Sequence, residues 1–504
     1  MFGFFKSKVS TENVVIEKDD EVLLIDEPKS NTLNRADIFF GSTQEDREER
    51  ENILNPYNKE IVSSVPICNK EDTLKALDIA KKAFIETKKS PLSQRVAWLE
   101  DVVKYMEDNL EEFAMTLTQE VAKPIAFSRV EVQRAIETIK ITIYELANIN
   151  GETIPTDITP TGKKTIAFYK REAVGVVACI TPFNFPLNLV VHKIAPALGM
   201  GNSVVLKPTP EAPMIAFLLA KAFINSRYAI KDALSVVYGD ADVGSTLVSS
   251  NIPRVISFTG SVPVGKIIMA QAGIKKVSLE LGGNAGTYIQ SSADISLASK
   301  RCAYGAFINS GQVCISLQRI YVDSDIYDEF SQALADETKK LISGNPFEDD
   351  TFIGPLINDE SNQRATEWIQ QAIEEGAEAI SGAKIEDGVF LPTVMKNVTD
   401  DMNIVCQEVF APIVSLIKVD SYEEAMSKIN STEYGLQFSI FTNDLKLTER
   451  FIEDSQSGGV VINDIPTLRF DVQPYGGTKL SGIGREGPKW ALEEFSEIKS
   501  VVIC

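Results

Sequence analysis

Histidine is almost absent from this chain of 504 residues, and its scarcity restricts the chemistry available to the protein. His192 is the only histidine, so a metal site built from several imidazoles is excluded, and we expect no bound metal. A catalytic cysteine–histidine pair is excluded as well unless His192 itself takes part. The apolar, helix-like sequence around His192 favours a structural role for it. Any general base is therefore expected to be a carboxylate.

Positive charge and long apolar runs are also scarce. The net charge of -21 argues against a nucleic-acid or anionic-membrane partner. No apolar run is long enough to cross a bilayer, and residues 1–5 are too few for the apolar core of a secretory signal. The six cysteines show no Cys-x-x-Cys spacing, which is typical of a reducing compartment. We therefore expect a cytoplasmic protein.

The hydrophobic period changes along the chain and predicts an α/β fold. Residues 1–50 are polar, which indicates a weakly ordered extension or a tail lying on the body. Apolar residues then recur at helical spacing from residue 74 to residue 146, beginning with Leu74, Leu77 and Ala80. After them, strand-like and helical segments alternate, which predicts a doubly wound parallel sheet. The predicted strands are 165–171, 174–180, 204–206, 234–238, 255–258 and 277–281, and the predicted helices are 131–146, 187–199, 213–225, 240–249 and 263–272.

A second α/β stretch is predicted from residue 285 to residue 480. It contains helices at 294–308 and 325–341 and strands at 319–322 and 459–463, and a short apolar strand follows at 498–503. Ligands of parallel sheets bind beyond the carboxyl ends of the strands. A site is therefore expected at the loops that follow predicted strands, which are 181–186, 207–211, 260–261 and 280–284.

Two residues in separate loops carry the clearest chemistry. Cys314 follows a small-residue segment at 309–313, where a thiol can act as a nucleophile. Glu280 can activate a water molecule as a general base, so the two together suggest a covalent intermediate that water hydrolyses. Taken alone, Cys314 is more often a buried structural cysteine. Cys302 is a rival thiol, but its place on the apolar face of a predicted helix indicates packing.

Two other loops give weaker signals. The chain has no Gly-x-Gly-x-x-Gly fingerprint, but Ser261 after a strand, with Gly265 opening a helix, is a looser candidate cradle for a pyrophosphate. Asn184 lies in a loop stiffened by prolines and can donate to a developing oxyanion, which typically contributes about 3 kcal/mol. It can equally satisfy the backbone of its own loop.

Seven short segments occur in an order that one protein family shares. They are 182–186 (Pro-Phe-Asn-Phe-Pro), 207–208 (Lys-Pro), 258–261 (Phe-Thr-Gly-Ser), 280–284 (Glu-Leu-Gly-Gly-Asn), 311–314 (Gly-Gln-Val-Cys), 408–412 (Glu-Val-Phe-Ala-Pro) and 474–482, which begins Pro-Tyr-Gly-Gly and ends Ser-Gly. On these segments the chain resembles the aldehyde dehydrogenase superfamily, in its non-acylating branch. Each segment alone is weak, but seven in order make the resemblance specific over residues 55–504.

The resemblance implies an α/β fold of two doubly wound parallel-sheet domains with a small β oligomerisation element. The implied NAD(P)-binding domain is 51–154 with 174–282, and the implied catalytic domain is 283–492. Strands in 155–173 and 493–504 would form the oligomerisation element, and residues 1–50 stay unassigned. An exposed apolar terminal strand is an edge that a partner chain can cover. We therefore expect a homodimer or homotetramer.

The resemblance also implies a role for each matching residue in catalysis. Cys314 would attack the aldehyde carbon to form a thiohemiacetal, while Asn184 and the Cys314 backbone amide would hold the oxyanion. Hydride loss would leave a thioester, and Glu280 would activate the water that releases the acid. Only a few per cent of an ordinary thiol is ionised at pH 7, so Glu280 or a nearby cationic nicotinamide must raise that fraction.

A nicotinamide dinucleotide, NADP or NAD, is the implied cofactor. Glu408 would hold the nicotinamide ribose beside Phe410, Lys207 would bind the adenine-side ribose, and Ser261 would contact the pyrophosphate. The other residues that match cofactor contacts are Thr181, Pro182, Phe183, Thr209, Pro210, Gly244, Gly260, Gly265 and Leu281. Each of these residues has an alternative role as an ordinary core or solvated residue.

The position three residues after Lys207 bears on the choice between the two cofactors. Relatives that prefer NAD often carry a glutamate there, whereas this chain has Pro210, and Glu211 follows by one. Without that acid, a 2′-phosphate meets less repulsion and can pair with Lys207. The sequence therefore slightly favours NADP and leaves NAD open.

Two arginines bear on the substrate. Arg134 lies on the helix that borders the substrate tunnel in this family, and Arg469 lies in the loop that closes it. Together they can clamp a carboxylate or phosphate on a small aldehyde, as in the branch that acts on lactaldehyde and glyceraldehyde 3-phosphate. Phosphate-specific members often have an arginine before the nucleophile, where this chain has Val313. Surface salt bridges are the alternative for both arginines.

Two other functions stay open on the same fold. An acylating dehydrogenase would pass the thioester to coenzyme A, but a water-activating Glu280 argues against that reaction. A non-catalytic binding or structural protein is the second alternative, and the intact set of Cys314, Glu280 and Asn184 argues against it.

Overall fold

The computed structural model describes residues 34–504. The strands of this part of the chain are β1 Asn34–Arg35, β2 Ile38–Phe40, β3 Thr43–Glu45, β4 Glu51–Leu54, β5 Ile61–Val65, β6 Ile166–Ala173, β7 Val176–Ile180, β8 Ser203–Lys207, β9 Leu234–Val236, β10 Pro253–Thr259, β11 Lys276–Glu280, β12 Ala285–Ile289, β13 Leu317–Asp323, β14 Glu378–Ser381, β15 Ile385–Glu386, β16 Val389–Phe390, β17 Thr393–Lys396, β18 Ile413–Val419, β19 Tyr434–Gly435, β20 Gln437–Phe441, β21 Gly459–Ile462, β22 Thr478–Lys479, β23 Gly482–Ile483 and β24 Ser496–Ile503.

The helices of the same region alternate with these strands. They are α1 Lys70–Thr87, α2 Leu92–Asp108, α3 Leu110–Val121, α4 Ile125–Leu146, α5 Asn188–Gly199, α6 Pro213–Ile224, α7 Ala241–Ser249, α8 Val262–Ala272, α9 Ile295–Phe307, α10 Tyr327–Thr338, α11 Asp359–Glu374, α12 Asn403–Cys406, α13 Tyr422–Asn430, α14 Leu445–Asp454 and α15 Pro488–Glu494, with one 3-10 turn at Ile308–Gly311. Within residues 34–504, no helix is both long enough and apolar enough to cross a membrane.

The larger sheet has eight strands in the order β23-β11-β10-β7-β8-β9-β2-β3. The five strands from β11 to β9 are parallel, and antiparallel strands flank them on both sides. Strands β7 and β8 are buried along their whole length, which explains their continuous apolar sequence. The strand order changes direction between β7 and β10, so the loops after these strands flank a crevice where ligands of such sheets bind.

The second sheet has seven strands in the order β14-β17-β18-β13-β12-β20-β21. All are parallel except β14, which pairs antiparallel with β17. The loop from β11 to β12 joins the two sheets directly, and β13 begins three residues after Cys314. The two sheets thus bring Glu280 and Cys314 into adjoining loops.

A separate two-stranded ribbon is formed by β6 and β24. The strands pair antiparallel over eight positions, from Ser496 opposite Ala173 to Ile503 opposite Ile166. Apolar side chains on β24 remain exposed, including Ile498 and Val502. The ribbon lies within the two segments for which oligomerisation strands were predicted.

The expected polar extension differs from the structure in its last part. Residues 1–33 lie outside the described residues, but residues 34–50 join the fold. Strand β2 pairs with β9 at the edge of the larger sheet, and Phe39 stacks on Phe217 with ring centroids 5.2 Å apart. Burying the run Ile38–Phe40 outweighs the polarity of its neighbours, which dominated the sequence pattern.

The predicted elements agree with the structure in type and differ at some ends. Helix α4 begins at Ile125, after Pro124, rather than at residue 131. Strand β21 ends at Ile462 because the next residue, Asn463, has a left-handed φ of 55°. Leu74, predicted on the apolar face of α1, is largely exposed, and Leu77 with Ala80 makes the core contact instead.

Candidate active site

One cavity of about 380 Å³ opens where the loops after β7, β10 and β11 face the chain around Cys314. The predicted site residues that line it are Arg134, Pro182, Phe183, Asn184, Gly260, Ser261, Glu280, Leu281, Cys314, Glu408, Phe410 and Arg469. The predicted residues that do not line it are Thr181, Lys207, Thr209, Pro210, Gly244 and Gly265. Among residues 34–504, no cluster of three or more metal-ligating side chains is present.

The Cys314 thiol lies at the cavity wall among apolar side chains. Val313 and Ile315 on either side are buried and pack with Leu436 and Tyr475. The Tyr475 hydroxyl lies 2.9 Å from the Cys314 sulfur. Burial raises the pKa of the thiol to about 11, while the hydrogen bond to Tyr475 and the charge of Arg469 act in the opposite direction. The free thiol is therefore a weak nucleophile at pH 7 without further help.

A strained turn precedes Cys314. Asn309 and Ser310 both have left-handed φ angles, 51° and 55°, which are unusual for residues with side chains. Gly311 continues the turn with φ 70°, and a side chain there would overlap the backbone of Ala411. The Ser310 hydroxyl donates to the Gly354 carbonyl at 2.8 Å, which helps to hold this conformation. The turn directs the following residues back into the cavity.

Asn184 lies opposite the thiol loop and is fixed by hydrogen bonds. Its side-chain amide donates to the Gln312 carbonyl at 3.0 Å, and its oxygen accepts from the Phe185 backbone at 3.1 Å. An asparagine amide has two N–H donors, so a second donor is available in this position. The bond from the Phe185 backbone matches the structural alternative, in which Asn184 satisfies its own loop, and the cavity position matches the oxyanion alternative.

A buried ion pair between α4 and the segment before it holds the Asn184 loop in place. Lys123 pairs with Glu131 and also donates to the Asn184 carbonyl at 2.7 Å. Glu131 in turn accepts from the backbone amides of Leu187 and Asn188 at 3.0 and 3.1 Å. These bonds satisfy both buried charges and hold the loop after β7 rigidly against α4.

Glu280 is buried at the end of β11, and neither carboxyl oxygen has a hydrogen-bond partner among the described residues. Burial, reinforced by the charge of Glu486, raises its pKa well above the usual range for a carboxyl group. A side chain on Gly476 would come within 2.9 Å of one Glu280 oxygen, so this glycine leaves room for the carboxyl group. Burial thus favours the protonated form of this carboxyl group, which is placed to exchange a proton with a molecule in the cavity.

A second buried carboxylate, Glu486, has the opposite character. It accepts from the Lys193 ammonium at 2.7 Å and lies 3.4 Å from the Arg469 guanidinium. Burial opposes its ionisation, but the charges of Lys193 and Arg469 hold its pKa down at about 2. The pKa values of two neighbouring carboxyl groups are thus shifted in opposite directions, which is a common arrangement in catalytic sites.

Arg134 reaches the cavity but already has an anionic partner. Its guanidinium binds Asp471 in a bidentate manner, at 2.8 and 3.0 Å. Asp471 also accepts from His192 at 3.0 Å. Burial opposes ionisation of Asp471, but His192 and Arg134 hold its pKa well below the usual range. Burial and the charge of Arg469 lower the pKa of His192, which is neutral and donates to Asp471.

Arg469 is buried at the cavity wall and is less completely paired than Arg134. Its guanidinium stacks 3.7 Å from the centre of the Tyr475 ring. Its carboxylate neighbour, Glu486, is shared with Lys193. Arg469 is therefore the cation at this end of the cavity with the most capacity to receive a further anion.

The other end of the cavity carries the residues predicted to hold the nicotinamide ribose. Glu408 accepts from the Gly283 backbone at 2.9 Å, and burial raises its pKa to about 7. A side chain on Gly282 would overlap the Glu408 carboxyl group, so this glycine allows the close approach. Phe410, with a left-handed φ of 51°, packs edge-on against Phe183 at 5.9 Å.

The predicted pyrophosphate and adenosine contacts lie beyond this end. Ser261 stands at the N-terminus of α8, where its side chain makes no capping bond, and Gly265 faces Leu281 so closely that a Cβ would lie 2.7 Å away. The first amides of a helix lack partners within it and suit a phosphate. Lys207 ends β8, where Cβ on Gly244 would lie 3.8 Å from its side chain.

The residues after β8 make a contact of their own. Thr209 donates to Glu211 across Pro210, which keeps this acid beside the loop. Burial lowers the pKa of Lys207, whereas Glu211 and Asp240 act to raise it. A helix N-terminus, a buried carboxyl with spare acceptors and a buried lysine together fit a dinucleotide.

The comparisons with known proteins agree with this geometry. The aldehyde dehydrogenase family model matches residues 43–501. A 3-sulfolactaldehyde dehydrogenase from Priestia aryabhattai is 41% identical over 467 residues, which cover 92% of this chain and 97% of that protein. Aldehyde dehydrogenase 21 from Physcomitrella patens, solved with the reaction product succinate, superposes with a TM-score of 0.91 at 36% identity, covering 94% of this chain and 98% of that one. Glyceraldehyde-3-phosphate dehydrogenase GapN from Methanocaldococcus jannaschii, complexed with NADP, superposes with a TM-score of 0.86 at 38% identity, covering 91% and 100%.

The chain therefore belongs to the aldehyde dehydrogenase family. It is an NAD(P)-dependent aldehyde dehydrogenase with the α/β fold of that family, as the sequence predicted.

Several residues of the site were not predicted from the sequence. Tyr475 and Glu486 line the cavity, while Asp471 and Lys193 pair with residues that line it. Each of the four contacts a partner that is distant in the chain, so only the fold brings the pairs together. Tyr475 lies inside one of the seven recognised segments, but nothing in its spacing indicates a contact with a thiol. The chain has 71 acidic residues, and nothing in the sequence distinguishes the buried Glu486 and Asp471 from the exposed ones.

Proposed function

We propose that the protein oxidises a small anionic aldehyde to its carboxylic acid, with Cys314 as nucleophile, Glu280 as general base and Asn184 as oxyanion donor. The observation that carries this proposal is the Glu280 carboxyl group, buried in the cavity without a hydrogen-bond partner among the described residues. An unpaired buried polar group is unfavourable for stability. Its presence beside a thiol therefore supports a chemical role.

The first half of the reaction uses the thiol and the amide. The ionised Cys314 sulfur, a thiolate, forms a bond to the aldehyde carbon, and the π electrons of the carbonyl move to its oxygen. The free N–H of Asn184 and the Cys314 backbone N–H would hold that oxyanion, and one such donor typically contributes about 3 kcal/mol. Glu408 and Phe410 would hold a nicotinamide at this cavity, and that group would supply the hydride acceptor needed to reach a thioester.

The second half of the reaction uses Glu280. Its carboxylate takes a proton from water, the hydroxide attacks the thioester carbon, and the C–S electron pair returns to sulfur, which leaves as the thiolate. The acid then departs and Glu280 releases its proton to solvent. The raised pKa lets Glu280 hold the proton that it receives, as an effective general base should. This base favours hydrolysis of the thioester over its transfer to coenzyme A. Turnover that requires coenzyme A would contradict the proposal and favour an acylating dehydrogenase.

We also propose how the chain holds its cofactor. Glu408 would bind the nicotinamide ribose, Ser261 the pyrophosphate and Lys207 the adenine-side ribose. Lys207 is the cation at this end of the site, and the charges of Glu211 and Asp240 act on it, so a 2′-phosphate would compete with these two acids. The absence of an acid at Pro210 supports a slight preference for NADP. Measuring kcat/KM with each cofactor decides the matter, and a strong preference for NAD would refute it.

The substrate anion is proposed to bind near Arg469. Arg134 already binds Asp471, and Lys193 and Lys123 are each paired with a buried glutamate. Among these four cations Arg469 is the least completely paired, which suits a single negative charge, such as a carboxylate or sulfonate. The similar sulfolactaldehyde dehydrogenase and the succinate-bound neighbour support this class of substrate.

We further propose an assembly and a location. The NAD(P)-binding domain would be 51–154 with 174–282, extended by residues 34–50, and the catalytic domain 283–492. The exposed apolar side of the β6–β24 ribbon supports its role in forming a homodimer or homotetramer. The six free cysteines support a location in the cytoplasm.

The proposal for Cys314 is tested with an aldehyde panel. Sulfolactaldehyde, succinic semialdehyde and propanal are incubated with NAD or NADP, and absorbance of the reduced cofactor is followed. Cys314→Ala should abolish turnover because no other thiol lines the cavity among the described residues. Cys406→Ala, which changes a partly buried thiol outside the cavity, is the matched control. Turnover retained by Cys314→Ala would refute the proposed nucleophile.

A further inference from the structure

Tyr475 is the side chain closest to the proposed nucleophile. Its hydroxyl lies 2.9 Å from the Cys314 sulfur, and within residues 34–504 it is the one side chain hydrogen-bonded to that atom. The ring is buried, and two backbone hydrogen bonds to Glu486, at 3.0 and 2.6 Å, fix its position. The contact therefore follows from the packing of this loop rather than from a mobile side chain.

The direction of this hydrogen bond can be worked out. Burial raises the pKa of Tyr475 well above its ordinary value of 10, so its hydroxyl keeps its proton at any working pH. A thiol is a weak donor, whereas a thiolate is an acceptor only. The Tyr475 hydroxyl therefore donates to the sulfur, most strongly when the sulfur is ionised.

The charges around Cys314 make this donor important. The groups that act on the thiol are Tyr475, Arg469, Glu408 and Glu280. Both carboxyl groups oppose a thiolate when they are ionised. Arg469, stacked 3.7 Å from the Tyr475 ring centre, adds a positive charge that lowers the pKa of the thiol. Tyr475 and Arg469 thus form the part of the cavity wall that favours negative charge on sulfur.

We propose that Tyr475 is a further catalytic residue, whose O–H donates to the Cys314 sulfur whenever that sulfur carries negative charge. This role rests on the proposed function of Cys314 as nucleophile. Before attack, the bond stabilises the thiolate. When the S–C bond forms, the sulfur loses its charge and the bond weakens. When water attacks the thioester, the C–S pair returns to sulfur and the bond forms again. Tyr475 keeps its proton throughout.

The expected size of the effect follows from thiol chemistry. Loss of one charge-assisted hydrogen bond should raise the pKa of the thiol by about one unit, which reduces the thiolate fraction about tenfold. Nucleophilicity rises with thiol pKa and recovers about threefold of this loss. We therefore expect nucleophilic attack by Cys314 to be about threefold slower at neutral pH without the Tyr475 hydroxyl.

Tyr475→Phe tests the proposal because it removes the hydroxyl and keeps the ring. Alkylation of Cys314 by iodoacetamide is followed by mass spectrometry of its peptide from pH 6 to pH 11 in the full-length protein. We expect about threefold slower labelling near pH 7 and a profile displaced upward by about one pH unit. Tyr327→Phe, which removes a buried hydroxyl bonded to the Leu416 carbonyl, should behave as wild type.

The outcomes separate this inference from the proposed function. A labelling profile unchanged by Tyr475→Phe, with Cys314→Ala inactive, overturns the role of Tyr475 alone. Activity retained by Cys314→Ala overturns the proposed nucleophile whatever Tyr475 does. A thermal unfolding scan shows whether each variant is folded, and equal loss of turnover at every pH with an unchanged labelling profile would make Tyr475 a packing residue only.

Discussion

The buried Glu280 carboxyl group gives stability and activity opposite responses to pH. Its pKa is raised in the folded protein, so the folded form holds a proton that the unfolded chain releases above about pH 4.5. Stability from this group is therefore complete below that pH and declines as the pH rises toward the folded pKa. Hydrolysis needs the ionised form, so turnover should rise over the same range.

Glu280→Gln should separate the two half-reactions. We expect a burst of reduced cofactor to remain, while steady-state turnover falls by about 100-fold or more because water is no longer activated. The free energy of unfolding in urea should also decline less between pH 5 and pH 9 than in wild type. Glu329→Gln, an exposed change on α10, is the control. Loss of the burst together with turnover would contradict a role confined to hydrolysis.

Asp471 is expected to limit the positive charge that a substrate anion would meet, if the anion binds as proposed above. In the structure it occupies Arg134 through two hydrogen bonds, leaving Arg469 as the less completely paired arginine. The acid thus competes with any substrate anion for Arg134. A doubly charged phosphate would need both arginines, and Asp471 withholds one of them.

Asp471→Asn should change the selectivity among anionic aldehydes. Freeing Arg134 should raise the ratio of kcat/KM for glyceraldehyde 3-phosphate to that for propanal by about tenfold, the value of one charge-assisted bond. The loss of a buried ion pair should also lower the melting temperature. Asp464→Asn, which breaks the 2.6 Å pair with Arg301, is the matched control. An unchanged ratio in a folded variant would remove Asp471 from substrate selection.

At the scale of elements, the site depends on where secondary structure ends. Asn184 follows β7, Glu280 ends β11, and Cys314 follows the left-handed turn after α9. The strands themselves are buried and have no room for a ligand. The catalytic groups are therefore positioned by rigid elements but belong to their termini.

The β6–β24 ribbon exposes several large apolar side chains, which are Ile166, Ile498, Val502 and Ile503. Lysines at Ile498 and Val502, on one face of β24, should block pairing with a partner chain through charge repulsion. We expect a lower mass by light scattering than for wild type. Glu497→Lys, on the opposite face, should leave the mass unchanged. A double variant that keeps the wild-type mass would place the interface elsewhere.

At the scale of the whole molecule, the sequence predicted the elements whose pattern of apolar residues follows directly from their burial. Strands covered on both faces are continuous apolar runs, so β7, β8 and β10 were recognised. The run at Ile38–Phe40 was too short to stand out within a polar segment. Family motifs predicted Cys314 and Glu280 together in one cavity, and the structure places both there.

The remaining features depend on distance in space, which the sequence does not contain. Arg134 and Asp471 are more than three hundred residues apart, and each alone resembles an ordinary surface charge. Tyr475 and Cys314 meet only because the loop before β22 folds over the cavity. Such contacts follow from the assembled fold. The partner of Arg134, and therefore the charge left for a substrate at that end of the cavity, could not be predicted from the sequence.

The pairing of β6 with β24 has a consequence for how the chain is made. The two strands are separated by about 320 residues, so β6 leaves the ribosome long before its partner exists. At 5–20 residues per second the edge of β6 stays uncovered for roughly 15 to 65 s. Lys163, Lys164 and Lys170 lie in or beside that edge and would discourage it from joining another nascent chain. The ribbon thus forms late in synthesis, and the lysines of its first strand protect that strand from pairing with another chain until then.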